Sequence, residues 1–460
     1  MTALYLRSRL SFIFIFAASS LFGQQNYQLS QLVDAAIKYY PILKQKEALF
    51  QASKASVNEV QHSFLPQVKL SDQLNIGTDN SIAGSFFPLG ITPSTSGGIR
   101  ASNKNQSALG TVGVVYAEYE LYNFGLNKSK LLAAKSIANL HLSDLQREQY
   151  LLSLQVAKLY LNIMQVQYKL QADRQNVNRY DSIFNVIKAI TLSGLRPGAD
   201  TSLAKAELSK AHISFNNTQL YLLQLKEQLF LFTGIPSDQI LIENANYVSF
   251  QIPDFANVYN ENSINPLIDY YNKKHSVNIA NEQVIKKSYL PKLSFEGSYW
   301  ARGSSIQYND AYKSLNTGFD MQRTNYLVGV AISYNLLNGL YRKDKLKISR
   351  YQTQAGDFEL EQQKNQMHSA LIQANIAMNV TKLNLRELPT QVKSATDTYL
   401  QKIAQYRAGV ISLIDLTNAA FVLYRSQIDW LETINDFYNA ALDKATANGD
   451  LTDFVKNFKY

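Results

Sequence analysis

The side chains that could catalyse a reaction or bind a metal are scattered through this chain. It contains no cysteine, and its five histidines are His62, His141, His212, His275 and His368. No two of them have the spacing of a helical ligand pair, and without thiolates a transition-metal site has few donors. The chain also lacks a phosphate-binding loop, a nucleophile elbow and a dinucleotide fingerprint. We therefore expect neither an enzyme nor a cofactor.

Two aspartates occupy matched positions instead. Asp200 follows Gly194 by six residues, and Asp415 follows Gly409 by the same interval. A glycine allows the chain to reverse at positive φ, and an aspartate caps the start of the next helix well. In each copy the glycine therefore suits a turn, and the aspartate suits a helix N-cap.

The composition favours long, uninterrupted elements. The 460 residues include only 20 glycines and 10 prolines, with 46% apolar and 18% charged side chains. The net charge of +9 raises nucleic acid as a partner, but lysine and arginine are spread along the chain rather than clustered. We expect no nucleic-acid partner.

The N-terminus has the pattern of an export signal, predicted over residues 1–23. Arg7 and Arg9 precede an apolar run from Leu10 to Ala18, which is too short to span a bilayer. An uncleaved anchor is the alternative, although polar Gln24, Gln25 and Asn26 follow at once. The predicted destination is the periplasm, the outer membrane or the exterior.

The chain consists of two copies of one unit. Leu65-Pro66 corresponds to Leu290-Pro291 at an offset of 225 residues, and Val112-Gly113-Val114 corresponds to Val328-Gly329-Val330 at 216. A third set of pairs shares an offset of 215: Gly194, Asp200, Ala204 and Leu208 match Gly409, Asp415, Ala419 and Leu423. The order is the same in both halves, so an internal duplication is predicted.

Alternation with a period of two predicts four strands, over about 66–78, 109–122, 291–303 and 325–337. In the fourth, Tyr326, Val328 and Val330 point one way, whereas the other face is small or polar. Glu118 and Glu120 interrupt the second strand and indicate a bulge or an early end. This pattern is typical of a barrel with lipid outside and water inside, and a soluble sandwich sheet is the alternative.

Four strands cannot close a membrane barrel, because an unpaired edge in lipid leaves backbone groups without partners. If the strands span the membrane, several chains share one barrel. The polar links Thr78 to Ser107 and Ser304 to Arg323 are predicted to be surface loops.

Each second strand is followed by a long helical pattern. No proline or glycine occurs between Leu126 and Leu192, which corresponds to about 100 Å of helix. A 3-4 spacing with one miss at Gln149 runs through this stretch, as in a left-handed coiled coil: Leu142, Leu145, Leu152, Val156, Leu159, Ile163, Val166 and Leu170.

These features together resemble the TolC family of outer-membrane efflux proteins. They include Tyr122-Asn123-Phe124-Gly125 and Leu336-Leu337-Asn338-Gly339, which close the second strand of each unit. The resemblance covers about Tyr27 to Thr452. It implies a mixed α/β membrane protein of a Gram-negative bacterium, in which a homotrimer builds a twelve-stranded outer-membrane β-barrel and a periplasmic coiled-coil tunnel.

The resemblance also implies the working partners and the domain plan. A periplasmic adaptor and an inner-membrane pump would dock and open a passive export channel, for efflux or for type I secretion. The first repeat is predicted over 24–250 and the second over 251–452, with tips near 194–200 and 409–415. Residues 453–460 form a predicted C-terminal tail. A soluble periplasmic coiled-coil scaffold is the competing hypothesis.

Two sites carry over by position. The tips similar to those that meet the adaptor contain Gly194, Leu195, Arg196, Gly409, Val410, Ile411 and Ser412. In TolC, acidic residues six and nine positions after the second tip glycine surround the periplasmic aperture, and here those positions hold Asp415 and Asn418. Three carboxylates around an axis would favour cations. One alternative is that the glycines are turn residues only. The other is that Asp415 is a helix cap, a role that Asp200 would share.

Basic residues cluster where each long helix begins: Lys128, Lys130, Lys135, Arg342, Lys343, Lys345 and Lys347. Cations are unfavourable at a helix N-terminus, which suggests another partner. Anionic headgroups of outer-membrane lipid are one hypothesis, and an ordinary solvated face is the other.

Overall fold

The computed structural model describes residues 25–84, 98–194, 197–242 and 264–458. The predicted export signal and the tip residues Leu195 and Arg196 lie outside these ranges.

The first repeat forms helices and strands in the predicted order. A short strand and two helices precede two long strands, two long helices and another short strand. They are β1 (Gln25–Tyr27), α1 (Leu29–Tyr39), α2 (Pro41–His62), β2 (Gln67–Gly77), β3 (Ala108–Tyr122), α3 (Leu126–Leu192), α4 (Gly198–Thr233) and β4 (Ile240–Ile242).

The second repeat has the same succession of long elements: α5 (Pro266–Ser288), β5 (Lys292–Ser304), a 3-10 turn (Leu315–Phe319), β6 (Arg323–Ser333), α6 (Asn338–Arg407), α7 (Leu413–Asn448) and α8 (Leu451–Asn457). The fourth strand ends earlier than expected at 337. Asn335 Oδ1 accepts from Leu337 N at 2.9 Å and Asn338 N donates to Asn335 O at 3.0 Å, so a turn replaces the last strand residues. The segment expected as a tail begins inside α8.

The duplicated sequence does not form two separate compact units. One compact unit contains residues 45–145 and 267–363, and the other contains the chain before, between and after these segments. Each repeat therefore contributes to both units, because its strands pair with strands of the other repeat and its long hairpin packs against the other hairpin.

The strand-containing unit is built on an antiparallel sheet, which has the order β2-β3-β5-β6 among the described residues. The repeats meet at β3 and β5, where Val115 lies opposite Tyr299. The register shifts between Glu120 and Tyr122, next to the glutamates that interrupt the alternation. The second strand therefore contains a register shift rather than an early end, and β3 continues to Tyr122.

The register gives the sheet two different faces. One face is mainly apolar in all four strands, with Leu70, Val115, Tyr299 and Tyr326 in a single row. The opposite face has polar rows, such as Gln73, Val112, Arg302 and Arg323. Apolar side chains of the edge strands are largely solvent-exposed in the single chain, for example Leu70 at 82% and Tyr326 at 80%.

The described parts of the polar links contact one end of this sheet. Ser305 N donates to Leu109 O at 2.9 Å, and Leu109 N donates to Ser305 Oγ at 2.9 Å. In the loops, the guanidinium of Arg100 contacts Asp310 at 3.2 Å and Asp79 at 3.7 Å. Loops from both repeats are thereby joined at the end of the strands that lies away from the helices.

The helical unit is packed more extensively than a single coiled-coil seam. In α3, six of the eight predicted seam residues are buried, and Ala157, Tyr160, Leu161 and Met164 between them are buried too. The middle of α3 therefore contacts neighbours on several sides. Helix α6 continues through Pro389, although proline removes one helical N–H donor. Among the described residues, no helix is long and apolar enough to cross a membrane.

Candidate functional site

The first tip is a tight reversal between α3 and α4. Gly194 has φ +74°, and its N–H donates to Thr191 O at 3.0 Å. A Cβ at this position would meet nothing within 4 Å, so the backbone angle alone makes glycine favourable. The structure therefore supports the role of Gly194 as a turn residue.

The second tip repeats this geometry with more residues described. Gly409 has φ +76° and donates to Tyr406 O at 3.0 Å, while Val410 N donates to Gln405 O at 2.9 Å. Val410 is 72% exposed, whereas Ile411 is half-buried against the adjoining core. Residues next to each other in this tip thus have different surroundings.

The second tip ends in a capping box. Ser412 is the N-cap of α7, and its Oγ accepts from Asp415 N at 3.2 Å. Asp415 Oδ2 accepts from Ser412 N at 3.1 Å and from Ser412 Oγ at 2.6 Å. The alternative that Asp415 is itself the N-cap is wrong, because Ser412, three residues earlier, is the N-cap and Asp415 completes the box.

Asp200 is not the N-cap of α4 either, so the alternative that it shares a cap role with Asp415 is wrong. The residue that corresponds to Ser412 is Pro197, which caps α4 without a side-chain hydrogen bond. Proline has neither a hydroxyl nor a backbone N–H, so a box with Asp200 cannot form. The duplicated tips therefore differ at their caps, although their glycines and carboxylates match.

The hydrogen bonds in the box also set the charge of Asp415. The Ser412 hydroxyl, and then its backbone N–H, hold the pKa of Asp415 below its ordinary value, with a smaller contribution from Lys402. Asp415 is exposed, and so is Asn418 one helical turn later. The carboxylate is thus ionised and accessible at neutral pH.

Both tips rest on one apolar core. It is formed by the last turns of α3 and α6 and the first turns of α4 and α7, with the buried residues Tyr180, Ile183, Ile187, Ala204, Ala211, Ala395, Tyr399, Tyr406, Leu413, Leu416, Ala420 and Leu423. The duplicated Ala204, Ala419 and Leu423 are buried, and Leu208 packs against this core. Their match between repeats therefore reflects packing, and the two tips lie at the same end of the four helices.

A buried polar cluster lies on the same helices. The Asp173 side chain on α3 is completely buried and accepts from Tyr424 OH on α7, while Lys169 Nζ approaches it at 3.4 Å. Lys169 Nζ also donates to Thr218 Oγ1 on α4 at 2.8 Å. Burial, and then the hydrogen bond to Asp173, raise the pKa of Tyr424 to about 12.

Sequence reasoning missed this cluster, although a signal was present. Asp173 follows Leu170 by three residues and precedes Val177 by four, so it continues the 3-4 spacing of the α3 seam. A charged residue at a seam position indicates a specific polar partner across helices. The cluster connects α3, α4 and α7 close to the tip core.

No described group of three or more histidine, cysteine, aspartate or glutamate side chains could hold a metal ion. The second tip combines a reversed backbone at Gly409, the exposed apolar side chain of Val410 and the ordered carboxylate of Asp415.

The sequence comparison gives the family of this chain. The family model of the outer membrane efflux protein matches residues 32–234 and 272–450, and the chain belongs to this family. No curated protein sequence matches the chain.

Solved structures of similar fold are outer-membrane proteins. VceC from Vibrio cholerae has 13% identity and a TM-score of 0.75, covering 92% of this chain and 96% of that chain. CusC has 15% identity and a TM-score of 0.77, covering 92% of both chains. The Campylobacter jejuni CmeC channel has 16% identity and a TM-score of 0.75, covering 92% and 86% respectively. At these identities the likeness shows the fold.

The predicted class is therefore confirmed. The protein is an outer-membrane channel of the tripartite-efflux type, with four strands per chain for a trimeric barrel and long helices in the periplasm. Channels of this family are passive homotrimers that work with adaptors and inner-membrane pumps. Nothing supports the soluble scaffold alternative.

The capping box makes a pH-dependent prediction. Because the pKa of Asp415 is lowered by folding, its stabilisation of α7 is present above the ordinary carboxylate pKa and is lost as the pH falls through the lower, folded value. Asp415→Asn should speed amide exchange over 412–418 at pH 7, and the difference from the unmodified protein should shrink in acid. Hydrogen–deuterium exchange of the purified trimer measures this.

Asp200→Asn is the matched control, since its tip has no capping box. Its effect on exchange over 197–203 should be smaller. Equal effects of the two substitutions would contradict the assigned role of the box.

Proposed function

We propose that both tips together form the docking surface for a periplasmic adaptor, and that Asp415 lines the aperture that docking opens. The observation that carries this proposal is the shared apolar core, which presents both reversals at one end of the four helices. Residues 1–23 would direct export to the outer membrane. The channel itself would be passive, and its partner pump would supply the energy.

The docking surface is best assigned to the exposed tip residues. Gly194, Gly409 and Val410 are exposed, and Leu192 beside the first tip is 80% exposed. Ile411 packs on the core and Ser412 caps α7, so their main contributions are structural. Leu195 and Arg196 are included by position only. An exposed apolar tip at a helical turn suits contact with a similar helical hairpin of the adaptor.

The aperture assignment depends on exposure and charge. Asp415 and Asn418 are three residues apart on α7 and both are exposed, so they lie on neighbouring positions of one helix face. In a trimer the ordered carboxylate occurs three times. A ring of carboxylates favours cations and slows anions.

The basic clusters support a contact with lipid headgroups. Lys128, Lys130 and Lys135 are exposed at the start of α3, as are Lys343, Lys345 and Lys347 at the start of α6. Among the described residues these six lysines form no ion pair with a carboxylate. They follow directly after the sheet, where the inner leaflet of the outer membrane would end.

The docking proposal is tested by Val410→Asp. A charge at a central, desolvated contact should cost about 2 kcal/mol or more, or about 30-fold in affinity. Cells with this variant should accumulate fluorescent efflux dyes while the amount of heat-modifiable trimer is unchanged. Tyr308→Asp, in the loop at the far end of the strands, is the control and should transport normally. Normal transport by Val410→Asp would refute docking at this tip.

The aperture proposal is tested by separating charge from capping. Asp415→Ala removes the carboxylate, whereas Ser412→Ala removes the N-cap hydroxyl and keeps the carboxylate. If Asp415 selects ions, only Asp415→Ala should reduce cation selectivity and cation block of the trimer in planar bilayers. Similar changes in both variants would show that Asp415 acts through the cap.

The headgroup proposal is tested by charge reversal on α6. Lys345→Glu with Lys347→Glu should lower the fraction of trimer in the outer membrane several-fold, because each basic residue near an anionic surface contributes about 1 kcal/mol. Lys364→Glu with Lys382→Glu reverses the same charge further along α6. If the two double variants assembled equally well, the lysines at the start of α6 would have no role in binding headgroups and would simply form a solvated face.

A further inference from the structure

Two arginines lie directly opposite each other at the loop end of the sheet. The register of β5 and β6 pairs Arg302 with Arg323. Both side chains are exposed. Like charges at directly opposite positions of neighbouring strands destabilise a sheet. An arrangement with this cost points to a role outside the packing of the sheet.

Both arginines belong to the polar face. Their neighbours along the strands, Ala301, Gly303 and Thr324, lie on the apolar face with Leu70 and Tyr299. Arg302 and Arg323 therefore lie on the opposite face. Since the apolar face of a membrane barrel contacts lipid, the opposite face lines the lumen. The connection of the other strand ends to the periplasmic helices places Arg302 and Arg323 near the extracellular mouth.

The two guanidinium groups are not neutralised by described neighbours. Neither forms an ion pair, and Arg323 donates only to the backbone of Gln322, at 2.8 Å. The nearby loop cation Arg100 is paired with Asp79 and Asp310. At the periplasmic end, by contrast, Glu120 on the same face has Lys292 at 3.6 Å. The two arginine charges at the mouth end of this face are thus uncompensated, whereas Glu118 and Glu296 lie opposite each other further down the same face.

We propose that Arg302 and Arg323 form an arginine ring that makes the outer part of the duct selective for anionic solutes and repels cations that approach from outside. Three copies of the pair would give six guanidinium groups around the lumen. Rings of arginine or lysine select anions in pores. This inference rests on the shared barrel, and it extends the proposed export function by naming a charge class.

The ring acts independently of the acidic residues below it. Glu296 and Arg302 are six residues apart on β5, or about 20 Å along the strand. The Debye length at physiological salt is about 8 Å, so the glutamates do not cancel the field at the mouth. A solute that enters from outside therefore meets the arginines first.

The absence of cysteine from the chain allows a clean measurement in the lumen. Asn325 lies on the same face two residues below Arg323 and is exposed, so Asn325→Cys places a single thiol within about 7 Å of the ring along the strand. Ser71→Cys is a second reporter in the same row of the sheet. Tyr308→Cys, at a loop residue that is 98% exposed, reports the medium outside the lumen.

Intact cells are treated with an anionic thiosulfonate (methanethiosulfonate ethylsulfonate) or a cationic one (methanethiosulfonate ethyltrimethylammonium). The ratio of anionic to cationic rates at residue 325 is expected to be roughly tenfold higher than at residue 308, because a lumen with walls of low dielectric focuses the local potential. Arg302→Gln with Arg323→Gln should reduce this ratio to about the value at residue 308. Lys364→Gln with Lys382→Gln, which removes equal charge from α6, should leave it unchanged.

An unchanged ratio in the arginine-free variant would overturn the proposal. The same conclusion would follow if residues 71 and 325 did not react although residue 308 did, since the face would then not line the lumen. Failure of adaptor docking or of the aperture test would leave the reagent ratio unaffected. The two sets of experiments therefore fail separately.

Discussion

A strand in lipid must have hydrogen-bond partners along both of its edges, and the rest of this structure depends on that constraint. Among the described residues of one chain, the sheet ends at β2 on one side and at β6 on the other. Unsatisfied backbone groups cost several kcal/mol each in the hydrocarbon region. Pairing of β2 with β6 of another copy removes both edges, so backbone hydrogen bonding requires that several copies share one barrel. The number of copies, three, is the property of the family.

The duplication serves this construction because each repeat supplies one hairpin of strands and one hairpin of helices. The repeats meet at β3 and β5 in the sheet, and their helical tips share one apolar core. Matched alanines and leucines at the tips keep the helices close, whereas the caps have diverged. Pro197 leaves α4 without a side-chain cap, but Ser412 and Asp415 order the start of α7. The two tips thus differ in their helix caps although they share one packed core.

Charge is used differently in the two compact units. In the helical unit, Asp173 is buried and surrounded by donors on other helices, which ties those helices to one arrangement. On the sheet, Arg302 and Arg323 are exposed on the lumen face, where they remain available to solutes. Buried charge requires partners to offset its desolvation, and exposed charge in a water-filled lumen does not. The buried Asp173 cluster stabilises the helical unit, and the exposed arginines act on solutes that pass through the lumen.

The sequence by itself determined the features that depend on neighbours along the chain. Alternation located all four strands, the lack of breakers predicted α3 at Leu126–Leu192, and glycine marked both reversals at positive φ. Tertiary structure alone decided the partners. Ser412 rather than Asp415 caps α7, Asp173 meets Tyr424 from 251 residues away, and register places Arg302 beside Arg323. Periodicity is a local property, whereas register and contacts between helices depend on how distant segments align, which a single sequence does not specify.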